Sequence, residues 1–294
     1  MKLVVAGAGG LLGRHLSARL SEGGHEVVGL VRSVRDVPGA RVIRWSPDTG
    51  IPPDAAAGAT AIVNLAGESI GTHRWTESRQ ASLLESRIAT TRACVEALAD
   101  GGPSVLVNAS AIGFYGATTE VVDERAPAGA DFLASLCQAW EKEARRGEGH
   151  GRRVAIARFG VVLARDGGAL PKMASLARFG VNGPLGGGRQ WISWVHVDDA
   201  VAAIELLVTA TLSGPFNVVA PSAVRQRDLA RELGRVLHRP SFLPAPRFGV
   251  TAALGSGPAS LVLEGQAVAP TALTAVGFHH RFPELGNALR DLLG

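Results

Sequence analysis

Leu3-Val4-Val5-Ala6-Gly7-Ala8-Gly9-Gly10-Leu11-Leu12-Gly13, followed by an amphipathic stretch from Arg14, decides the fold. The apolar run reads as a buried strand, the glycines as a tight turn, and Leu11 onward as the start of a helix. That order lets backbone N–H groups at a helix N-terminus close on a pyrophosphate. The context of strand and helix gives the glycine spacing a meaning it lacks alone.

Outward from this turn, short apolar runs alternate with helical patterns over the first two-thirds of the chain. Strands are expected at Leu3–Ala6, Glu26–Val31, Arg41–Trp45, Ala61–Leu65, Ser104–Ala109, Val154–Phe159 and Gly214–Val219. Helices are expected at Leu11–Glu22, Thr76–Ala99 with Thr76 as its cap, Phe132–Glu148 and Gln226–Leu237. This is the signature of an α/β protein with a doubly wound parallel sheet of Rossmann type. A nucleotide-binding domain is expected over residues 1–239. Glycine-rich residues 165–191, with Pro171 and Pro184, form a helix and loop rising from the substrate side. Residues 240–294 read as a small C-terminal α/β cap, helical over Thr271–Gly294.

Composition narrows the function classes. The 294 residues are 46% hydrophobic and 19% charged, an ordinary globular balance. A net charge of +4 could suggest nucleic acid, but the basic residues form no block, only three are lysines, and aromatics make up 5%. A solvated, arginine-biased surface accounts for the charge, and no nucleic-acid partner is expected. The N-terminal Lys2 and the apolar residues after it mimic a secretory signal, but glycines interrupt the run. No stretch of eighteen apolar residues occurs, so no membrane partner is expected. Cys94 and Cys137 have no metal-type spacing, which fits a reducing cytoplasm.

The end of the second strand selects the nucleotide. NAD-binding turns are usually followed, about 20 residues on, by a carboxylate for the ribose hydroxyls. Here Val27-Val28-Gly29-Leu30-Val31 runs into Arg32-Ser33. A guanidinium can fork onto a 2′-phosphate that a carboxylate would repel, so Arg32 points to NADP(H). The alternative is a solvated arginine at a strand end.

Several segments together resemble the extended short-chain dehydrogenases/reductases. Gly7-x-x-Gly10-x-x-Gly13 is similar to their cofactor turn, Asn64-Leu65-Ala66-Gly67 to the segment beside the cofactor ribose, and Ser110-Ala111-Ile112-Gly113-Phe114-Tyr115-Gly116 to the segment with the catalytic hydroxyl. Arg158-Phe159-Gly160 and Trp194-Val195-His196-Val197-Asp198-Asp199 resemble later core motifs. Asn64–Ile70, Arg74–Arg87, Ser110–Gly116 and Phe132–Glu141 resemble more narrowly the atypical branch known as epimerase-family proteins. Gly265-Gln266-x-Val268-x-Pro270 and Gly277-Phe278 resemble that branch's small C-terminal domain of unknown function. The resemblance implies cofactor contacts from Gly7, Gly10, Leu11, Leu12, Gly13, Leu65, Ala66, Gly67, Glu68, Arg87 and Ala109, together with Arg32.

Ordinary members of the superfamily use a Tyr-x-x-x-Lys pair as the proton shuttle. Tyr115 is the only tyrosine, with Thr119 four residues on; Lys142 and Lys172 follow Gln138 and Gly168 at that spacing. The pair is absent. Alignment on Glu141 puts Leu133 at the tyrosine position and Cys137 at the lysine position, and Arg87 stands where the family has a helix asparagine. Both replacements are typical of the atypical branch.

Three catalytic candidates remain. Ser110 either hydrogen-bonds the reacting oxygen, as the resemblance implies, or satisfies a strand end. Tyr115 either donates to substrate or anchors the fold. Cys137 is either a thiol whose pKa a nearby Arg87 lowers, or core packing with Leu136 and Trp140. Arg87 either replaces the missing lysine or pairs on the helix surface with an acid such as Glu85. Glu68, Trp75, Arg158 and Trp191 are expected to rim the substrate cleft. His196 with Asp198 or Asp199 and Ser193 has hydrolase residue types without a nucleophile elbow, so a helix-capping role is expected. His279-His280 has no ligand partner, so no metal is expected.

The leading expectation is an NADP(H)-dependent oxidoreductase on a small carbonyl or hydroxyl substrate, in which Ser110 polarises the oxygen and water, Tyr115 or Cys137 supplies the proton. A non-catalytic NADP(H) redox sensor is the alternative. A nucleotide-sugar epimerase or dehydratase is disfavoured, because both need a strong base where none stands. The oligomeric expectation is a monomer or homodimer.

Overall fold

The structure, a computed structural model, describes residues 1–71, 73–98, 102–149 and 151–294. Its central sheet has seven strands: β1 (Lys2–Ala6), β2 (Glu26–Val31), β3 (Arg41–Arg44), β4 (Ala61–Asn64), β5 (Val105–Ala111), β6 (Arg153–Phe159) and β7 (Gly214–Val218). All pairings are parallel, in the spatial order β7-β6-β5-β4-β1-β2-β3. The chain therefore reverses its winding between β1 and β4. A crevice opens beyond the strand C-termini at such a switch point.

The helices are α1 (Leu11–Glu22), α2 (Glu77–Glu96), α3 (Phe132–Arg145), α4 (Leu170–Arg178), α5 (Val197–Thr209), α6 (Gln226–Leu237), α7 (Arg247–Leu254), α8 (Ser256–Leu263), α9 (Thr271–Ala275) and α10 (Leu285–Leu293). Because successive strand residues face opposite ways, β1 feeds two cores. Leu3 and Val5 pack with Leu16 and Leu20 of α1 and Ile204 of α5, while Val4 and Ala6 pack with Cys94 of α2 and Ala144 of α3. Leu16 and Leu20 are fully buried, each stabilising the fold by about 1.5–3 kcal/mol relative to exposure. Burial on both faces is why these strands read as continuous apolar runs.

The expected elements form with adjusted ends. Thr76 caps α2, its hydroxyl accepting from the Arg79 N–H at 3.2 Å. Ala99, the last residue of the expected helix, lies outside the described residues. Helix α3 stops at Arg145, just before Gly147, and β5 runs on to Ala111. The expected helix over Thr271–Gly294 is two helices, α9 and α10, separated by Gly277 at φ +78° and by Pro283.

The C-terminal residues are knitted into the rest at three places. Ala267–Val268 pairs in parallel with Val121–Val122. Leu285, Leu289 and Leu292 of α10 share a core with Leu229 and Leu233 of α6. The buried Asp199 carboxylate accepts from the N–H groups of Arg281 and Phe282 at 2.7 and 3.0 Å.

Candidate active site

Gly7 leaves β1 with φ +80°, and a β-carbon there would sit 2.8–2.9 Å from the backbone of Leu65 and Ala66. Only glycine lets the turn pass so close to the end of β4. Gly10 occupies the N-cap of α1, and no side chain caps it. The first-turn N–H groups of Leu11, Leu12 and Gly13 thus have no acceptor within the helix. At Gly13 a β-carbon would overlap the Gly7 carbonyl oxygen and lie 2.6 Å from Ala8 Cα. The helix starts directly on the turn, leaving a bare, electropositive N-terminus with room for a phosphate.

Arg32 is exposed just past β2. Arg35, which sequence reading passed over, lies against the same turn: a Gly9 β-carbon would meet its Cδ at 2.9 Å, and its Nη1 is 3.4 Å from the Gly9 carbonyl oxygen. The spacing Arg32-Ser33-Val34-Arg35 was the available signal. From the other side, Arg14 reaches the Gly9 carbonyl at 3.3 Å and pairs with Asp166 at 2.9 Å. That pair ties the 161–168 hairpin to the helix start.

At β4, Asn64 donates to Asn108 Oδ1 at 2.8 Å and Thr91 Oγ1 at 3.0 Å, and Trp140 Nε1 donates to the same threonine at 2.8 Å. This buried network locks β4 and β5 to α2 and α3, which fixes the loop Leu65-Ala66-Gly67-Glu68. Arg87 supports that loop from beneath. It is 9% exposed, donates to the carbonyls of Leu83 and Glu68 at 2.9 and 3.1 Å, and lies over the Trp140 ring. Glu85 is not its partner, and desolvation by burial lowers its pKa.

The end of β5 carries a connected polar chain. Ser110 Oγ donates to Glu141 Oε1 at 2.7 Å. Arg158 forks onto both oxygens of Glu141 at 2.8 Å each and donates to Tyr115 Oη at 2.8 Å. Tyr115 in turn donates to Asn217 Oδ1 at 2.7 Å. Arg158 was expected at the cleft rim; it is 3% exposed, beneath the site and against the Phe114 ring. Desolvation pulls its pKa down, but the hydrogen bonds and charge of Glu141 outweigh it, and the net shift is upward. Burial raises the Tyr115 pKa, the nearby Arg158 acting in the opposite sense. Both the proton and a lone pair of Tyr115 are thereby engaged inside the fold.

Cys137 is 2% exposed, with its pKa pushed up to about 11 by burial and then by Glu141. Arg87 does act in the lowering direction, but burial outweighs it. The group is a thiol, not a thiolate, at neutral pH. Leu133 packs against Gly113, where the alignment had placed the family tyrosine. Ala109 sits inside β5 opposite Ala157 of β6.

The remaining candidates divide between site and scaffold. Glu68 pairs with Arg79. Trp75 stacks edge-on against Phe132 at 5.3 Å and donates to the Ile70 carbonyl. Trp191 donates to the Thr119 carbonyl at 3.2 Å and carries the Arg225 guanidinium 3.4 Å above its ring. His196 caps α5, its Nδ1 accepting from the Asp198 N–H at 3.1 Å. His280 Nε2 is 2.8 Å from the Val219 carbonyl oxygen.

A glycine cradle at the switch point and a polar chain at the end of β5 define a dinucleotide-binding α/β protein. Residues 3–219 match the NAD dependent epimerase/dehydratase family and residues 245–292 a domain of unknown function, DUF1731; the chain belongs to that epimerase/dehydratase family. The chloroplastic epimerase family protein SDR39U1 homolog of Arabidopsis thaliana is 40% identical, over all of this chain and 87% of its own length. Human epimerase family protein SDR39U1 is 36% identical, over the full length of both. The crystal structure of that human protein (isoform 2) with NADPH superposes with a TM-score of 0.91 at 35% identity, over 99% of each chain. The Bacillus cereus UDP-glucuronic acid 4-epimerase with NAD, 15% identical at a TM-score of 0.78, shares the fold. No helix among the described residues is long and apolar enough to cross a membrane.

Proposed function

We propose that this chain is an NADP(H)-dependent oxidoreductase acting on a small carbonyl or hydroxyl compound. The observation that carries the reading is the Ser110–Glu141–Arg158 chain, at the end of the strand beside the switch point. The cradle fits the cofactor: Gly7, Gly10 and Gly13 clear the space, the N–H groups of Leu11, Leu12 and Gly13 meet the pyrophosphate, and Leu65–Glu68 on Arg87 flank the ribose. When bound, the nicotinamide supplies or accepts hydride.

Ser110 then handles the proton. Its own proton points at Glu141, so its lone pairs are free to accept from a substrate hydroxyl. In the oxidising direction the substrate proton passes to Ser110 Oγ as the serine proton moves to Glu141 Oε1, and reduction runs the same path backwards. This refines the expectation that Ser110 only polarises the oxygen. Tyr115 is an anchor in this reading, and Cys137 packs the wall behind Ser110.

Ser110→Ala is expected to cut NADPH turnover across a carbonyl panel by about a hundredfold at unchanged NADPH affinity. A second reading, the redox sensor, draws support from the burial of Ser110, Tyr115 and Cys137 at 3%, 5% and 2% exposure. Absence of turnover with every carbonyl, together with a partner whose affinity differs between oxidised and reduced cofactor, would favour it.

The nucleotide choice rests on Arg32 and Arg35, two guanidiniums beside the turn with no carboxylate partner. Replacing both by Gln is expected to weaken NADPH binding by about tenfold or more in a fluorescence titration and to leave NADH unchanged. Equal affinity of the parent protein for the two reduced cofactors would remove the argument.

A further inference from the structure

Four arginines gather around one glycine loop at the substrate side of the cleft, and none meets a carboxylate. Gly186, Gly187 and Gly188 all have positive φ, at +58°, +95° and +66°. Arg247 packs its stem on Gly186, where a β-carbon would lie 2.8 Å from its Cγ, and Arg227 Cβ stands 2.7 Å from the corresponding point at Gly188. Arg225 donates to the Arg189 carbonyl and lies flat on Trp191. A β-carbon on Gly187 would face open space, and its N–H meets no acceptor among the described residues.

The surroundings leave this charge uncompensated. No Asp or Glu occurs from Gly167 to Val197 or from Leu233 to Leu263, the two segments that supply Arg189 and Arg247. Asp228 and Glu232 of α6 are committed to Arg231 and Arg235. Glu264, beside the Leu263 carbonyl that accepts from Arg247, is exposed and makes no ion pair. Trp191 reaches back to Thr119, four residues beyond Tyr115, so the loop stands at the strand C-termini on the Ser110 side.

We propose that Arg189, Arg225, Arg227 and Arg247 form an anion subsite that takes a phosphate monoester on the substrate. This rests on the oxidoreductase reading, whose substrate class it narrows. Planar guanidinium forks match phosphoryl oxygens, and a dianionic group answers several positive charges better than a single carboxylate. Arg225, held by Trp191 and the Arg189 carbonyl, is already oriented before any ligand arrives.

Phenylglyoxal labelling of the NADPH-saturated protein, read by peptide mass spectrometry, tests this without relying on turnover. Saturation keeps the glycine cradle and Arg32 out of the comparison. Inorganic phosphate is expected to slow labelling of Arg189, Arg225, Arg227 and Arg247 by about fivefold or more, while the ion-paired Arg231 is unaffected. Acetate at equal ionic strength is expected to give no protection. Arg225→Gln/Arg247→Gln, with NADPH affinity retained as the check of folding, is expected to abolish protection at Arg189 and Arg227. Labelling that phosphate leaves unchanged, protection spread equally to Arg231, or equal protection by acetate overturns the proposal. Protection without turnover by any phosphorylated carbonyl leaves the subsite standing and overturns the oxidoreductase reading instead.

Discussion

Arg158→Met is expected to lower the free energy of unfolding by about 3–5 kcal/mol. The arginine is 3% exposed, and its loss leaves the Glu141 carboxylate, equally buried, with the Ser110 hydroxyl as its remaining partner. Tyr115 loses the donor to its oxygen at the same time. An uncompensated buried charge is what makes breaking such a pair so costly, whereas replacing both partners by apolar groups of similar volume is often close to neutral. Glu141→Leu/Arg158→Met is therefore expected to recover at least about 1 kcal/mol relative to the sum of the single losses. Urea denaturation of the four proteins measures this cycle. Strict additivity, or an Arg158→Met midpoint equal to that of the parent, would show that the pair is not a buried unit. Total stabilities of about 5–15 kcal/mol make a loss of this size a large fraction of the whole.

That pair also marks what the sequence could and could not convey. The sheet was legible because parallel strands buried on both faces must be apolar throughout, and because Gly7, Gly10 and Gly13 leave few other turns open. Thr76 and His196 were legible as caps because capping is local. Arg158 looked like a rim residue because arginine is rarely buried, and nothing near it in the chain shows that Glu141 will neutralise it. Arg35 was hidden for the opposite reason: it reads as one more surface arginine until the loop folds it back on Gly9. The pairing of Ala267–Val268 with Val121–Val122 involves two residues on each side, too few to leave an alternating pattern. The arginines around Gly186–Gly188 come from three separate stretches, and only the fold brings them together.

Gly13→Ala is expected to weaken NADPH binding by about a hundredfold or more, roughly 3 kcal/mol. The added methyl group would overlap the Gly7 carbonyl oxygen and lie 2.6 Å from Ala8 Cα and 2.8 Å from Ala8 C. All three obstacles are backbone, so no rotamer change relieves them, and α1 must withdraw from the turn. Withdrawal moves the first-turn N–H groups of Leu11 and Leu12 off the phosphate position, and hydrogen bonds to a charged group weaken steeply with misalignment. Gly10→Ala is the graded comparison: its β-carbon would sit 3.2 Å from the same carbonyl, a strain that a shift of a few tenths of an ångström relieves. Its loss is expected to be several-fold. At Gly9 the β-carbon would meet the Arg35 side chain at 2.9 Å, and that side chain can move aside. The order of NADPH affinities is then parent and Gly9→Ala, Gly10→Ala, and last Gly13→Ala, measured by fluorescence titration well below each melting temperature. A Gly13→Ala protein that binds NADPH within about twofold of the parent would mean that the contact between helix and turn does not set the phosphate geometry.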